Sequence, residues 1–168
     1  MKKLVLLVVS FLMANILFAD PFGLKMGMTL DEIREKCGGE EPVYERKGYM
    51  YTINPIKKDG TFTDYIACVH DNLGLFAVVA FTDFMPSKRC EEVFNNVLSA
   101  LKRYYGEPSE SKKLFCEWDV DECERLKKEK LQAISLTVEY GDHGYGMVGL
   151  GYKFENSDKA LESADSPF

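Results

Sequence analysis

Apolar and polar residues change their spacing several times along this chain, and each spacing names an element. The clearest run lies between 88 and 105. Cys90, Val93, Phe94, Val97, Leu98, Leu101 and Tyr105 recur three and four apart, which lays one broad apolar stripe along a helix. Ser87 stands where a cap is wanted, Lys102 and Arg103 suit the negative end of the helix dipole, and Gly106 with Pro108 ends the run. Strict alternation comes later. Ile134, Leu136, Val138 and Tyr140 interleave with Ser135, Thr137 and Glu139, and Val148, Leu150, Tyr152 and Phe154 continue the pattern. Segments 131–140 and 147–154 therefore read as strands with one buried and one wet face. Residues 75–81 are apolar at every position and predict a central strand covered on both sides. Further strands are expected at 43–53, 62–70 and 113–118, with turns at Asp59-Gly60 and 71–74. A short charged helix is expected over 119–130, with Asp119 and Glu122 as a capping pair.

The stretch PFGLKMGMTLDEIREKCGG, residues 21–39, admits two readings: a ligand-cradling loop or a helix start. Thr29 and Glu32 have the spacing of a capping box, in which each side chain satisfies the other's backbone amide. Met28 and Ile33 are placed to staple the entry, and Asp31 with Glu32 lies at the positive end of the helix dipole. Leu30, Ile33 and Cys37 share a face, and Gly38 or Gly39 suits a left-handed stop. A phosphate cradle wants more glycine and no adjacent carboxylates. The stretch reads as a helix start.

Helix, three strands, helix, three strands is the resulting order, a degenerate repeat of about 70 residues. The expected fold is α+β: two helix-plus-three-strand units, 22–84 and 85–154, in one domain over 20–154. Its helices would pack on one face of a mostly antiparallel sheet. The acidic segment 155–168 has little apolar content and is expected to be disordered.

Lys2 and Lys3, the apolar run from Leu4 to Phe18 and the small Ala19 give residues 1–19 the pattern of a cleaved signal peptide. The run is short for a membrane span of roughly 18 residues, although an uncleaved anchor is the rival reading. No cysteine marks a lipidation site at the cleavage point. The expected location is periplasmic or secreted, with no stable membrane insertion after cleavage. The formal net charge is −6, and no basic cluster is present, which excludes nucleic acid as a natural partner. Five cysteines remain beyond the leader. In an oxidising compartment an even subset would pair, and Cys116 with Cys123 is the nearest pair in sequence.

Candidate chemistry is sparse. His70 and His143 are the two histidines, and each stands beside an aspartate in a hairpin: His70-Asp71 and Asp142-His143. Were the two tips to meet, two imidazoles and two carboxylates would suit zinc. Asp and His in turns also occur simply because they tolerate tight backbone. No nucleophile elbow, phosphate loop or zincin motif occurs, so no enzyme and no cofactor is implied. Gly149 and Gly151 leave one strand face nearly bare, which admits another backbone or a helix, or marks a bend.

The stretch FGLKMGMTLDEIREKCG, with its G-M-T-x-x-E helix start, resembles small exported bacterial proteins of the β-lactamase-inhibitor-like superfamily. That group also takes in outer-membrane-assembly lipoproteins of the SmpA/OmlA type. The resemblance implies the tandem helix-plus-sheet fold and a non-enzymatic binding role, and carries no target-gripping residue across. The function expected is an exported binding or adaptor module whose partner is an envelope or secreted protein. Its contact surface would be the sheet face away from the helices or the hairpin loops, with Tyr49, Tyr51 and Tyr145 as anchors. A metal-binding protein or small enzyme using His70 and His143, and a small-ligand carrier, are the alternatives.

Overall fold

A computed structural model describes residues 20–46 and 49–164; the expected signal peptide lies outside the described residues. Among them the chain is α+β, with four α-helices and a nine-stranded sheet. The first helix, α1 (Leu30–Lys36), begins with the capping box. Thr29 Oγ1 accepts the Glu32 amide at 3.3 Å, and the Glu32 carboxylate accepts the Thr29 amide at 2.8 Å. Thr29→Ala is expected to cost about 1 kcal/mol in urea unfolding. The glycine before the cap has its own task. Gly27 donates its amide to Leu75 O and Met28 O accepts the Leu75 amide, both at 2.8 Å, so this segment is bonded to the central strand.

Four strands follow: β1 (Val43–Arg46), β2 (Met50–Ile53), β3 (Asp64–His70) and β4 (Gly74–Phe81). The expected single strand at 43–53 is thus two antiparallel strands. After a two-residue strand, β5 (Met85–Pro86), comes the long helix α2 (Ser87–Tyr105). Ser87 does not cap it; its hydroxyl donates instead to Gly144 O at 2.7 Å and ties the helix to a distant hairpin. Then follow β6 (Glu110–Lys112), β7 (Phe115–Asp119), the short α3 (Glu124–Lys128), β8 (Leu131–Tyr140) and β9 (Tyr145–Phe154). Helix α3 starts later than expected. Asp119 Oδ1 accepts the Asp121 amide at 2.9 Å, closing a local turn rather than capping.

The strand order is β1-β2-β3-β4-β9-β8-β7-β6, with β5 added beside β9. Side chains alternate across the sheet. Tyr65, Ala67, Val78, Ala80, Ile134, Leu136, Val148, Leu150 and Tyr152 form one buried face with Ile33 of α1, Phe94 and Leu101 of α2 and Leu126 of α3. Strand β4 lies between β3 and β9, as its unbroken apolar run requires.

A final helix, α4 (Ser157–Ala164), corrects two expectations. Residues 157–164, within the segment expected to be disordered, form a helix, and that helix lies on the other face of the sheet from α1, α2 and α3. Ala160 is fully buried against Cys68 and Phe76, with Leu161, Ile66 and Ala77 around them. Leu75 and Val78 face the main core while Phe76 and Ala77 between them face α4, at the register shift where Cys68 pairs with Ala77 and Val69 with Leu75, so α4 covers the face that α1, α2 and α3 leave open. Polar bonds hold a helix whose sequence is mostly polar. The Ser157 hydroxyl lies 2.5 Å from Phe76 O and 2.6 Å from Phe154 O. Asn156 Nδ2 donates to Leu73 O at 3.1 Å and to Leu75 O at 3.2 Å. No helix among the described residues is long and apolar enough to cross a membrane.

Candidate functional site

Strands β4 and β9 run antiparallel, and each follows one of the His-Asp turns. His70-Asp71 and Asp142-His143 therefore stand at opposite ends of the sheet, roughly 30 Å apart at ~3.3 Å per residue. The juxtaposition that a shared metal site needs is not formed. Among the described residues, no group of three or more His, Cys, Asp or Glu side chains converges on a metal-sized site. His143 is exposed, with a left-handed backbone at φ 62° that closes the hairpin. All five cysteines are buried and unpaired, so the expected Cys116–Cys123 disulfide is absent. Cys123 Sγ faces Tyr105 O at 3.3 Å, whereas Cys116 Sγ lies 3.5 Å from Ser111 Oγ. Their environments are separate.

The three tyrosines divide. Tyr49 is half-buried, its ring 5.5 Å from that of Phe76. Tyr51 packs against the main core and meets Tyr44 edge to face at 5.7 Å. Tyr145 is at the surface, 48% exposed, and Phe84 (60%) and Tyr140 (47%) accompany it at the same end of the sheet.

Glycines position these rings. Gly141 donates its amide to Tyr145 O at 2.9 Å, and Phe84 Cε1 lies 3.2 Å from where a Gly141 Cβ would stand. Directly opposed residues share a face, so Tyr145 and Phe84 flank Gly141 on the side away from α2. Tyr140 pairs with Gly146 on the other side; its Cδ1 lies 2.8 Å from a Gly146 Cβ position. Partial desolvation, and then the Glu91 carboxylate, push the Tyr140 phenol up from its ordinary range. Along β9, the face away from α2 continues through Gly149 and Gly151. A Cβ on Gly149 would meet Phe81 Cε1 at 3.2 Å and Thr137 Cγ2 at 3.3 Å; one on Gly151 would meet Ser135 Oγ at 2.8 Å. The bare positions are floors across which neighbouring side chains close. The face ends in a groove of about 250 Å³ against α4, lined by Phe76, Ala77, Val79, Gly151 and Leu161.

The chain matches no family, no curated protein and no solved structure.

Two further features lie on the helical side. A cleft of about 350 Å³ opens between α2 and the 59–62 loop, with Phe62, Val93, Val97 and Leu150 inside and Asp59 and Arg89 among its polar residues. At the other end of α2, the Glu129 carboxylate accepts the Tyr105 hydroxyl at 2.7 Å and the Tyr104 hydroxyl at 3.1 Å. Arg125 stacks over the Tyr104 ring at 4.1 Å and donates to Tyr104 O at 2.6 Å. Burial pushes the Glu129 carboxyl up, against the two phenol hydrogen bonds that favour its charge. This cluster pins α2 to the turn before β8 and presents no vacant acid–base pair.

Sequence reading missed Phe84 and Tyr140. Phe84 sits in a short link after an unbroken apolar strand, and Tyr140 completes an alternating buried face. Its exposure follows from its place at the strand's end. The usable signal was the glycine at 141 and at 146, each leaving backbone on which a ring can lie.

Proposed function

We propose that the chain is an exported, non-enzymatic binding module acting through protein–protein contact, and that its contact surface is the open face of the sheet. One observation carries this reading: Phe84 and Tyr145 stand exposed at the end of a face floored by Gly141, Gly149 and Gly151. Large aromatics on a rigid frame are the usual anchors of protein interfaces, because they contribute area with little entropy to lose. The leader pattern of residues 1–19 supports export, to the periplasm or beyond. The same reading takes the chain as two degenerate units, each a helix followed by antiparallel strands, meeting at β4 and β9. That arrangement is in keeping with the β-lactamase-inhibitor-like resemblance.

The test is retention of a periplasmic or secreted partner on the immobilised protein. Phe84→Ser combined with Tyr145→Ser is expected to weaken the captured complex about 30-fold or more, with the urea midpoint unchanged. Equal retention by the variant and the natural chain would overturn the assignment of this face.

The cleft beside α2 favours a second reading, a carrier of a small molecule with an apolar body and a polar end. It predicts a bound small mass in native mass spectrometry of the protein taken from its own host. It also predicts loss of that mass in Val97→Trp, which fills the cleft. A zinc or histidine-based site shared by His70 and His143 has no support in the arrangement of the two turns.

A further inference from the structure

His70 closes the turn between β3 and β4 with one ring nitrogen and reaches α4 with the other. Its Nδ1 lies 3.1 Å from the Asn72 amide and 3.3 Å from the Leu73 amide. Backbone amides only donate, so Nδ1 is the acceptor and carries no hydrogen. The neutral ring therefore holds its proton on Nε2, and donates it to Ser163 Oγ at 2.9 Å. Ser163 passes its own hydrogen on to Lys159 O at 2.9 Å or Ala160 O at 3.0 Å. This tautomer excludes a serine–histidine dyad, since a base needs a free lone pair on the nitrogen facing the hydroxyl. The arrangement is instead a tether. The beginning of α4 is held by Ser157 and by Asp158, whose carboxylate accepts Lys153 Nζ at 2.8 Å and Gln132 Nε2 at 2.7 Å. Its last turn has His70.

We propose that His70 is a pH-sensitive latch which holds the last turn of α4 over Cys68 and Phe76 while the imidazole is neutral, and releases it when the imidazole is protonated. A second proton must go to Nδ1, where it faces two amide N–H groups that then have no acceptor. The ring leaves the turn, and its bond to Ser163 leaves with it. What lies beneath is apolar: Cys68, Phe76 and Ala160 form one buried cluster, edged by Ile66, Ala77 and Leu161. Release uncovers the end of the open face that α4 closes, whatever binds the rest of it. Charged and titratable groups on the surrounding elements include Asp71 in the turn, Asp158, Lys159 and Glu162 on α4, Lys153 on β9, and Tyr49 beside β2. Cys68 itself supplies a readout: burial pushes its thiol up to about 11 and keeps it unreactive while covered.

The experiment labels the full chain with dithiodipyridine, which reacts with thiols in acid, and maps the modified cysteine by peptide mass. Rates are normalised to the denatured chain at each pH. On lowering the pH from about 7.5 to about 5, labelling of Cys68 is expected to rise about tenfold, the scale of one to two hydrogen bonds lost. Ser163→Ala, and His70→Asn, which keeps an acceptor for the turn amides but takes no proton, are expected to raise labelling at neutral pH and abolish its pH dependence. A Cys68 rate that does not change with pH would overturn the latch. So would a rise that persists in His70→Asn, which would place the titrating group elsewhere.

Discussion

Replacing Phe22 by alanine is expected to cost the fold about 3–5 kcal/mol in urea unfolding. Few single changes reach that size, and here it falls on the segment that follows the leader pattern. Pro21, Phe22, Gly23 and Leu24 are all buried. The Phe22 ring meets Tyr65 edge to face at 4.8 Å, Tyr152 at 5.9 Å and Phe62 at 6.4 Å. It therefore touches two strands that flank β4, one from each half of the sheet, and its removal leaves a hole between them. Its backbone is left-handed at φ 58°, a conformation that costs on the order of 1–3 kcal/mol and persists only where packing enforces it. Alanine keeps the strained backbone and loses the packing. A Phe22→Ala chain as stable as the natural one would mean that this segment lies on the fold rather than in it.

Gly74→Ala is expected to destabilise by about 3 kcal/mol or more. Gly74 has φ +67°, and an added Cβ would overlap the carbonyl of Gly27 and stand 2.8 Å from Gly27 Cα. Backbone is the obstacle, so no side chain can turn aside to make room. Relief requires breaking the two bonds that dock residues 27 and 28 on Leu75. Gly39 supplies the comparison. It has φ +89° with nothing within 4 Å of a Cβ, so Gly39→Ala is expected to lose only the left-handed penalty of about 1–2 kcal/mol. Urea unfolding of the pair separates close approach from conformational preference. Equal losses would show that the Gly27–Gly74 contact has slack.

Local chemistry was legible in the sequence, and tertiary anchoring was not. The capping box at Thr29 and the stripe of α2 depend on residues three and four apart, and both appear in the fold. Ser87 looked like a cap because caps are local; its actual acceptor, Gly144 O, is brought to it only by the folding of β8 and β9. Helix α4 was hidden for the same reason. Its segment has Ala160 and Leu161 as its main apolar contacts, and its docking relies on Asn156 and Ser157 reaching carbonyls on β4. The strand at 43–53 proved to be two, since alternation alone does not say where a chain reverses. The His-Asp pairs looked equivalent in sequence, yet antiparallel pairing of β4 with β9 sends them to opposite ends. Of the candidate contact residues, Tyr145 lies on the exposed surface, while Tyr49 and Tyr51 are half-buried. Phe84 joins Tyr145 because Gly141 leaves room for its ring.

The central claim is that the open sheet face, anchored at Phe84 and Tyr145, is where another protein docks. A photo-crosslinking residue placed at Tyr145, in the cell that makes the protein, tests it most directly when compared with the same residue at the exposed Glu92 of α2. The account predicts one protein joined at position 145, none at position 92, and loss of the product in Phe84→Ser. Identical products from both positions, or none from position 145, would contradict it.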